Sequence, residues 1–479
     1  MSNYLGKKGY TIKKEKCTQT ELYELRTNLT VKPNTGNIGY ATNISYPIYR
    51  ESTSKIYIPR YYGIEKYGPF SKNVLSKGNQ INLSFDGNLF DYQKNIVQKY
   101  IDFVGESGGG LLDVDPGKGK TVMGLNIISR LQKKTLVVVH KTFLLNQWKE
   151  RIEQFLPNAK VGLIQGKTID IKDKDIVIGM LQTLCTKDLE ESIIEEFGLT
   201  IYDECHHLSA EVFSNVMLKI QTNYNLGLSG TMTRKDGLTK VFKYFIGPVI
   251  HKEKSDTTTE VLVKTVCFDD FEDEKYNEVE TDYKGTPMYS RMITKICNNE
   301  NRTNMIVNII ENELKNNYNQ QIMILAHNKS LIKELYEKIE IFEKNIGYYL
   351  GGMKENELKE SESKKVIIAT YAMASEGLDI KTLTTLLMAT PKSDVCQSVG
   401  RILRAKHSNP LVIDIIDTHD IFKNQYKKRQ TYYNKKKYRI QKYLNLNNYL
   451  KNEFNLDNNK KEKKQKTIKC LINIPDNVS

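Results

Sequence analysis

Gly117, Lys118, Gly119, Lys120 and Thr121 form a glycine-lysine turn ending on a hydroxyl, and further along the chain Asp203 and Glu204 form a carboxylate pair. A glycine-rich turn lets backbone N–H groups close around phosphate oxygens, and a helix starting there adds positive potential from its N-terminus. Lys120 is then placed to reach the β and γ phosphates of ATP, and the Thr121 hydroxyl to bind Mg²⁺. Adjacent carboxylates at the end of an apolar run are costly unless they meet a cation. Asp203 is the candidate metal ligand, and Glu204 the candidate residue to orient or deprotonate an attacking water. Taken singly, the first stretch also fits a surface turn and the second an acidic turn after a buried strand. Together they point to hydrolysis of a nucleoside triphosphate.

Such groups work only if strands and helices hold them. Apolar Leu111 and Leu112 precede the turn, helical apolar spacing runs from Thr121 to Ile128, and Asp115 and Pro116 complete the loop. Strand, loop, helix is the context this motif requires, although the position usually held by its first glycine is Val114. Short apolar runs predict strands at 111–114, 136–139, 176–180, 199–202 and 226–228, and again at 322–325, 366–369, 385–388 and 411–416. Continuous apolar strands alternating with helical patterns predict parallel sheets buried on both faces. Two such sets predict an α/β chain with two tandem domains, whose ligands sit at the carboxyl ends of the strands.

The 479 residues exceed one ordinary core. A net charge of +14 favours a polyanionic partner, although a basic surface also serves solubility. Seven scattered cysteines without a Cys-x-x-Cys pair argue for reduced thiols inside a cell rather than a disulfide frame or zinc site. No apolar run is long enough to span a membrane, and no secretory pattern opens the chain.

The remaining motifs resemble those of superfamily 2 helicases. Ser229-Gly230-Thr231 follows a strand where that family carries Ser-Ala-Thr; 135–148 is similar to its motif Ia, Gln182-Thr183-Leu184 to motif Ib, 369–380 to motif V and 397–404 to motif VI. Within the superfamily, Gly227 to Leu238 with Ile246-Gly247-Pro248, and Gly400 to Arg404, are most similar to XPB-type and phage UvsW-type DNA translocases. They are closer still to the helicases of large DNA viruses, including the poxvirus transcript-release helicase. Cys205 and Gly230 depart from the usual residues at their positions.

The resemblance implies two RecA-like domains closing on ATP and Mg²⁺, with nucleic acid lying across both; DNA is favoured and RNA is the alternative. It implies that Arg401 and Arg404 reach the γ-phosphate, that Gln397 contacts phosphate or water, and that Gly377 and Asp379 couple nucleotide to the bound strand. His206, Ser229 and Thr231 would carry coupling contacts between the domains, Gln93 would read adenine, and Thr142, Thr183 and Thr370 would meet nucleic-acid phosphates. The Gln-x-x-Gly-Arg-x-x-Arg spacing predicts Gln397, Gly400, Arg401 and Arg404 on one side of a helix.

The expected organisation is a β-rich accessory region over 1–88, a first domain over 89–252, a linker or insertion over 253–305, a second domain over 306–425 and a basic Tyr/Lys-rich tail over 426–479. Between Lys423 and Tyr443 the mix of basic residues and tyrosines fits either nucleic-acid contact or packing on the second domain. The expected partners are nucleic acid and transcription or replication proteins, with no membrane. The expected setting is intracellular (cytoplasm, viral factory or nucleus), with packaging in a virion a further option. An ATP-gated clamp that does not unwind is the third functional reading.

Overall fold

A computed structural model describes residues 3–32, 45–105, 108–115, 117–204, 210–230, 238–252, 260–376, 380–402, 407 and 409–456. Among these, two eight-stranded sheets form the body of the chain. In the first, the strands run in the order Thr168–Asp170, Val161–Gln165, Ile176–Met180, Thr135–Val139, Leu199–Asp203, Tyr224–Ser229, Gly108–Asp113 and Val249–Lys252. Every pairing is parallel except that of the outermost Thr168–Asp170. The Val, Ile and Leu runs 135–139, 176–180 and 199–203 are buried at every residue, as a parallel sheet covered by helices on both faces demands.

The second sheet has the order Ile346–Tyr349, Val366–Thr370, Ile322–Ala326, Thr385–Met388, Leu411–Asp417, Leu262–Phe268, Arg439–Tyr443 and Asn455–Leu456. It is parallel except at the last strand. It draws on more chain than the span 306–425. Leu262–Phe268 lies in the expected linker and Arg439–Tyr443 in the expected tail, yet both are interior strands of this sheet. Lys264 interrupts the apolar run that would have marked the first of them; the fold neutralises it with Glu313 at 2.6 Å. Before the tail strand, helix Asp420–Lys435 lays Arg429 and Tyr433 against Asp414, at 2.8 and 3.1 Å. Tyr432, Tyr433 and Tyr438 pack on one another, while Lys423, Lys427 and Lys428 face outward, so the tyrosines of this segment take the packing role.

A buried ion pair fixes one helix of the second domain. Arg302, near the start of helix Glu300–Asn316, donates to both carboxylate oxygens of Asp417 at 2.6 and 2.9 Å, and both side chains are fully buried. Tyr276 adds a third donor to Asp417 at 3.2 Å. Removing one partner strands a charge inside the protein, so Arg302→Ala is expected to cost about 3–5 kcal/mol and to lower the urea midpoint of the second domain, followed by circular dichroism. Replacing both charges with apolar residues of matching size should recover most of that loss.

The accessory region is mixed rather than β-rich. A five-stranded sheet, in the order Arg50–Glu51, Lys55–Ile58, Gly9–Lys13, Tyr4–Gly6 and Lys72–Asn73, packs with helices Gln19–Asn28 and Arg60–Tyr67. It shares one core with the first domain: Tyr10, Ile12, Ile56 and Ile58 cluster with Leu111, Leu136, Tyr202 and Phe242. Arg60 is buried and donates to the Asn223 carbonyl at 3.0 Å. Tyr61 donates to the Gly109 carbonyl at 3.0 Å, on the strand that leads into the phosphate loop.

Candidate active site

Strand Gly108–Asp113 delivers the loop, and helix Lys120–Leu131 leaves it. Gly117 and Gly119 both have positive φ, +83° and +78°, which side chains rarely adopt. A Cβ on Gly119 would also collide with the Gln93 amide. Val114, at the position where glycine is usual, is fully buried without a positive φ, and its N–H donates to the Ser229 carbonyl at 2.9 Å. Glycine is therefore needed at 117 and 119 but not at 114. The same hydrogen bond ties the start of the loop to Ser229, itself fully buried.

The carboxylate pair lies against the loop. Lys120 Nζ lies 2.9 Å from Glu204 Oε1. Glu204 has a φ of +47°, an uncommon backbone state for a residue with a side chain, of the kind that collects at functional sites. Asp203 is 4% exposed, and each of its oxygens is held: Oδ2 accepts from Trp148 Nε1 at 2.8 Å and Oδ1 from the Glu204 N–H at 3.0 Å. Burial and then the neighbouring Glu204 charge raise the Asp203 carboxyl above its usual range; Trp148 and Lys120 act the other way. On the approach strand, Asp113 is also raised by burial, offset by Lys252 at 3.7 Å.

Gln93 is 4% exposed, and each end of its amide meets backbone. Its Oε1 accepts from the Phe90 N–H and its Nε2 donates to the Lys118 carbonyl, both at 3.0 Å. It thereby fastens helix Asp91–Val104 to the phosphate loop. Tyr92 donates to the same Lys118 carbonyl at 3.1 Å, and Lys118 Nζ sits over the Tyr92 ring.

Thr142, Thr183 and Thr370 all stand at or just beyond the carboxyl ends of strands. Strands Thr135–Val139 and Ile176–Met180 are neighbours, so Thr142 and Thr183 share one edge of the first sheet. Thr142 is exposed at the first turn of helix Thr142–Phe155. Thr183 is buried, its hydroxyl accepting from the Gly166 N–H at 3.0 Å, and Thr370 is half-buried in the second domain.

Residues 86–234 match the family model "Type III restriction enzyme, res subunit", and residues 303–406 match "Helicase conserved C-terminal domain". A protein of Acanthamoeba polyphaga mimivirus, described as "Putative ATP-dependent RNA helicase L396", is 36% identical over 98% of this chain and 91% of its own length. The chain belongs to the superfamily 2 helicases of large DNA viruses. A helicase of the same description from African swine fever virus (isolate Pig/Kenya/KEN-50/1950) is 28% identical over 74% of each chain. The crystal structure of T4 UvsW covers 90% of this chain and 97% of its own at 19% identity, with a TM-score of 0.36. This superfamily 2 helicase is an ATP-dependent nucleic-acid helicase, and so an ATPase.

Several residues that the motifs of this helicase single out fall outside the described residues: Pro116, His206, Thr231, Gly377, Asp379 and Arg404. In motif VI, Gln397 lies in the single-turn helix Cys396–Val399. Gly400 still bonds four residues back, to Cys396, whereas Arg401 and Ile402 bond three back, to Ser398 and Val399. The helix thus tightens into a turn at the glycine, so through Ile402 the stretch is not the continuous helix that the spacing predicted. Arg401 is 7% exposed within the second domain.

Two contacts of this helicase site were not singled out from the sequence. One is the indole of Trp148 on Asp203. The other is Lys436, whose Nζ lies 2.8 Å from Asp115 Oδ2 and joins the end of the second domain's helix Asp420–Lys435 to the phosphate loop. A lone tryptophan beside a motif glutamine was a visible signal for the first. One lysine among many offered none for the second.

Proposed function

We propose that this helicase couples Mg²⁺-dependent ATP hydrolysis to movement along DNA, separating strands or displacing bound transcripts. The observation that carries the catalytic part is the Lys120–Glu204 pair beside buried Asp203. A cation and two carboxylates converge at the mouth of a glycine loop, the arrangement phosphoryl transfer needs. Mg²⁺ fits the donors present: the buried Asp203 carboxylate and the Thr121 hydroxyl are hard oxygens that would hold it. When bound, the ion neutralises charge on the β and γ oxygens.

The chain's own residues do the rest. Backbone N–H groups of Gly117 to Thr121 cradle the phosphates, Lys120 holds their charge, and Glu204 orients the attacking water. Arg401 and Arg404 act from the second domain with Gln397, while Gly377 and Asp379 relay nucleotide state. Ser229, Thr231 and His206 link the carboxylate strand to the neighbouring domain. Thr142 and Thr370 touch the strand's phosphates, and Thr183 shapes the same edge. Contacts of this kind fix register without reading sequence.

Resemblance of 227–238 and 400–404 to DNA translocases supports DNA. The RNA reading has its own support, since both viral relatives are described as RNA helicases. Among the described residues no helix is long and apolar enough to cross a membrane. The proposed setting is intracellular, beside transcription or replication proteins, with packaging in the virion a further option.

The test is steady-state ATP hydrolysis by the full chain without nucleic acid, then with single-stranded DNA, duplex DNA and RNA, at two salt concentrations. DNA should stimulate turnover, and added salt should weaken that stimulation as released counterions lose their entropic advantage. Stimulation by RNA alone would replace DNA with RNA as substrate. Turnover indifferent to all three would remove the coupling to nucleic acid.

A further inference from the structure

Trp148 is the chain's one tryptophan, and its side chain is fully buried. It sits on helix Thr142–Phe155, about 9 Å along the axis from Thr142 at 1.5 Å per residue. Its indole N–H donates to Asp203 Oδ2 at 2.8 Å. The far edge of the ring lies 3.1 Å from the place a Cβ on Gly124 would occupy, so the indole is wedged against the helix that leaves the phosphate loop. Hydrophobicity alone would be satisfied by phenylalanine here. What phenylalanine cannot supply is the N–H that holds one oxygen of a buried carboxylate, and a carboxylate oriented by a fixed outer donor binds metal better than a freely rotating one.

We propose that Trp148 is a positioning residue that links nucleic-acid contact at the exposed start of helix Thr142–Phe155 to the orientation of the Asp203 carboxylate. One rigid helix carries both ends of the link. A shift of that helix when a strand docks at Thr142 moves the indole, and the indole turns the carboxylate. This inference rests on the reading of Asp203 as metal ligand and Thr142 as strand contact.

Two measurements test it. In the first, Trp148→Phe keeps the packing and deletes the donor. The Mg²⁺ concentration for half-maximal hydrolysis is expected to rise about 10-fold or more, with DNA stimulation of kcat reduced by a similar factor. Binding of a labelled DNA strand, read by anisotropy, should stay unchanged. A lowered melting temperature with Mg²⁺ requirement and stimulation both unchanged would make Trp148 a packing residue and overturn the proposal. The second needs no variant and no turnover. Excited at a wavelength that the 29 tyrosines do not absorb, wild-type emission comes from this indole alone, and single-stranded DNA or RNA of the same sequence should shift it without nucleotide. Emission blind to both strands, when anisotropy shows one of them bound, overturns the link even if Trp148→Phe fails to fold. Asp203→Asn separates this inference from its premise: if that variant keeps full Mg²⁺-dependent hydrolysis, the metal-ligand reading fails. If Asp203→Asn is inactive while Trp148→Phe behaves as wild type, only the link fails.

Discussion

Glu204→Gln is expected to lower kcat for ATP hydrolysis by about 10²–10⁴-fold while leaving ATP binding intact, because it removes a general base without removing a phosphate contact. Glu204 has two neighbours that define its role: Lys120 at 2.9 Å and the adjacent buried Asp203. Without nucleotide, Lys120 is the counter-charge for Glu204. An arriving triphosphate offers Lys120 a stronger anion, and the released carboxylate is then free to take a water. Glutamine keeps the shape but cannot accept that proton. The substitution also removes one of two adjacent negative charges. The Glu204 charge helps raise the Asp203 carboxyl, so the neutral amide makes ionised Asp203 easier to maintain and nucleotide binding no weaker. Single-turnover hydrolysis and binding of a fluorescent ATP analogue, measured on one preparation, check the split. Loss of binding in step with turnover would refute the base assignment.

Lys120→Ala is expected to give the opposite pattern, with binding and turnover falling together and kcat/KM lower by about 10²–10³-fold. Lys120 is one of the few cations at the mouth of the loop, and its side chain is only 10% exposed, so water cannot substitute for it well. Alanine would leave Glu204 and Asp203 side by side without their nearest positive charge, and the site would repel a nucleotide it should attract. Nucleotide affinity by equilibrium titration and kcat/KM by steady-state assay check both parts. An alanine variant that binds ATP normally would show that the loop backbone alone holds the phosphates.

Most of the parallel strands were legible because strands covered on both faces must be continuously apolar, whereas Val161–Gln165, Val249–Lys252 and Ile346–Tyr349 were not placed. Ile176–Met180 and Thr385–Met388 were predicted to the residue, and most others were extended by one or two. Leu262–Phe268 and Arg439–Tyr443 were not legible, since Lys264, Arg439 and Lys442 break their apolar character. Only the fold shows that Glu313 lies within reach of Lys264. At the site, spacing pointed to the glycine loop and the carboxylate pair, and the fold brings Lys120 Nζ to 2.9 Å from Glu204 Oε1. Spacing could not reveal that Gln93 bonds backbone at both ends of its amide, or that the Thr183 hydroxyl accepts from the Gly166 N–H. Sequence names a polar group; whether that group remains available depends on neighbours far away in the chain.

The shared core between the accessory region and the first sheet has a mechanical consequence. Buried Arg60 is anchored on Asn223, Tyr61 on Gly109, and the Tyr62 ring packs edge-on against Tyr244 at 5.0 Å. Through that core the described residues of the five-stranded sheet turn with the first domain as one body. Cutting the chain near residue 88 to isolate the motor would therefore remove the sheet and also bare the apolar face of the first domain on which it packs.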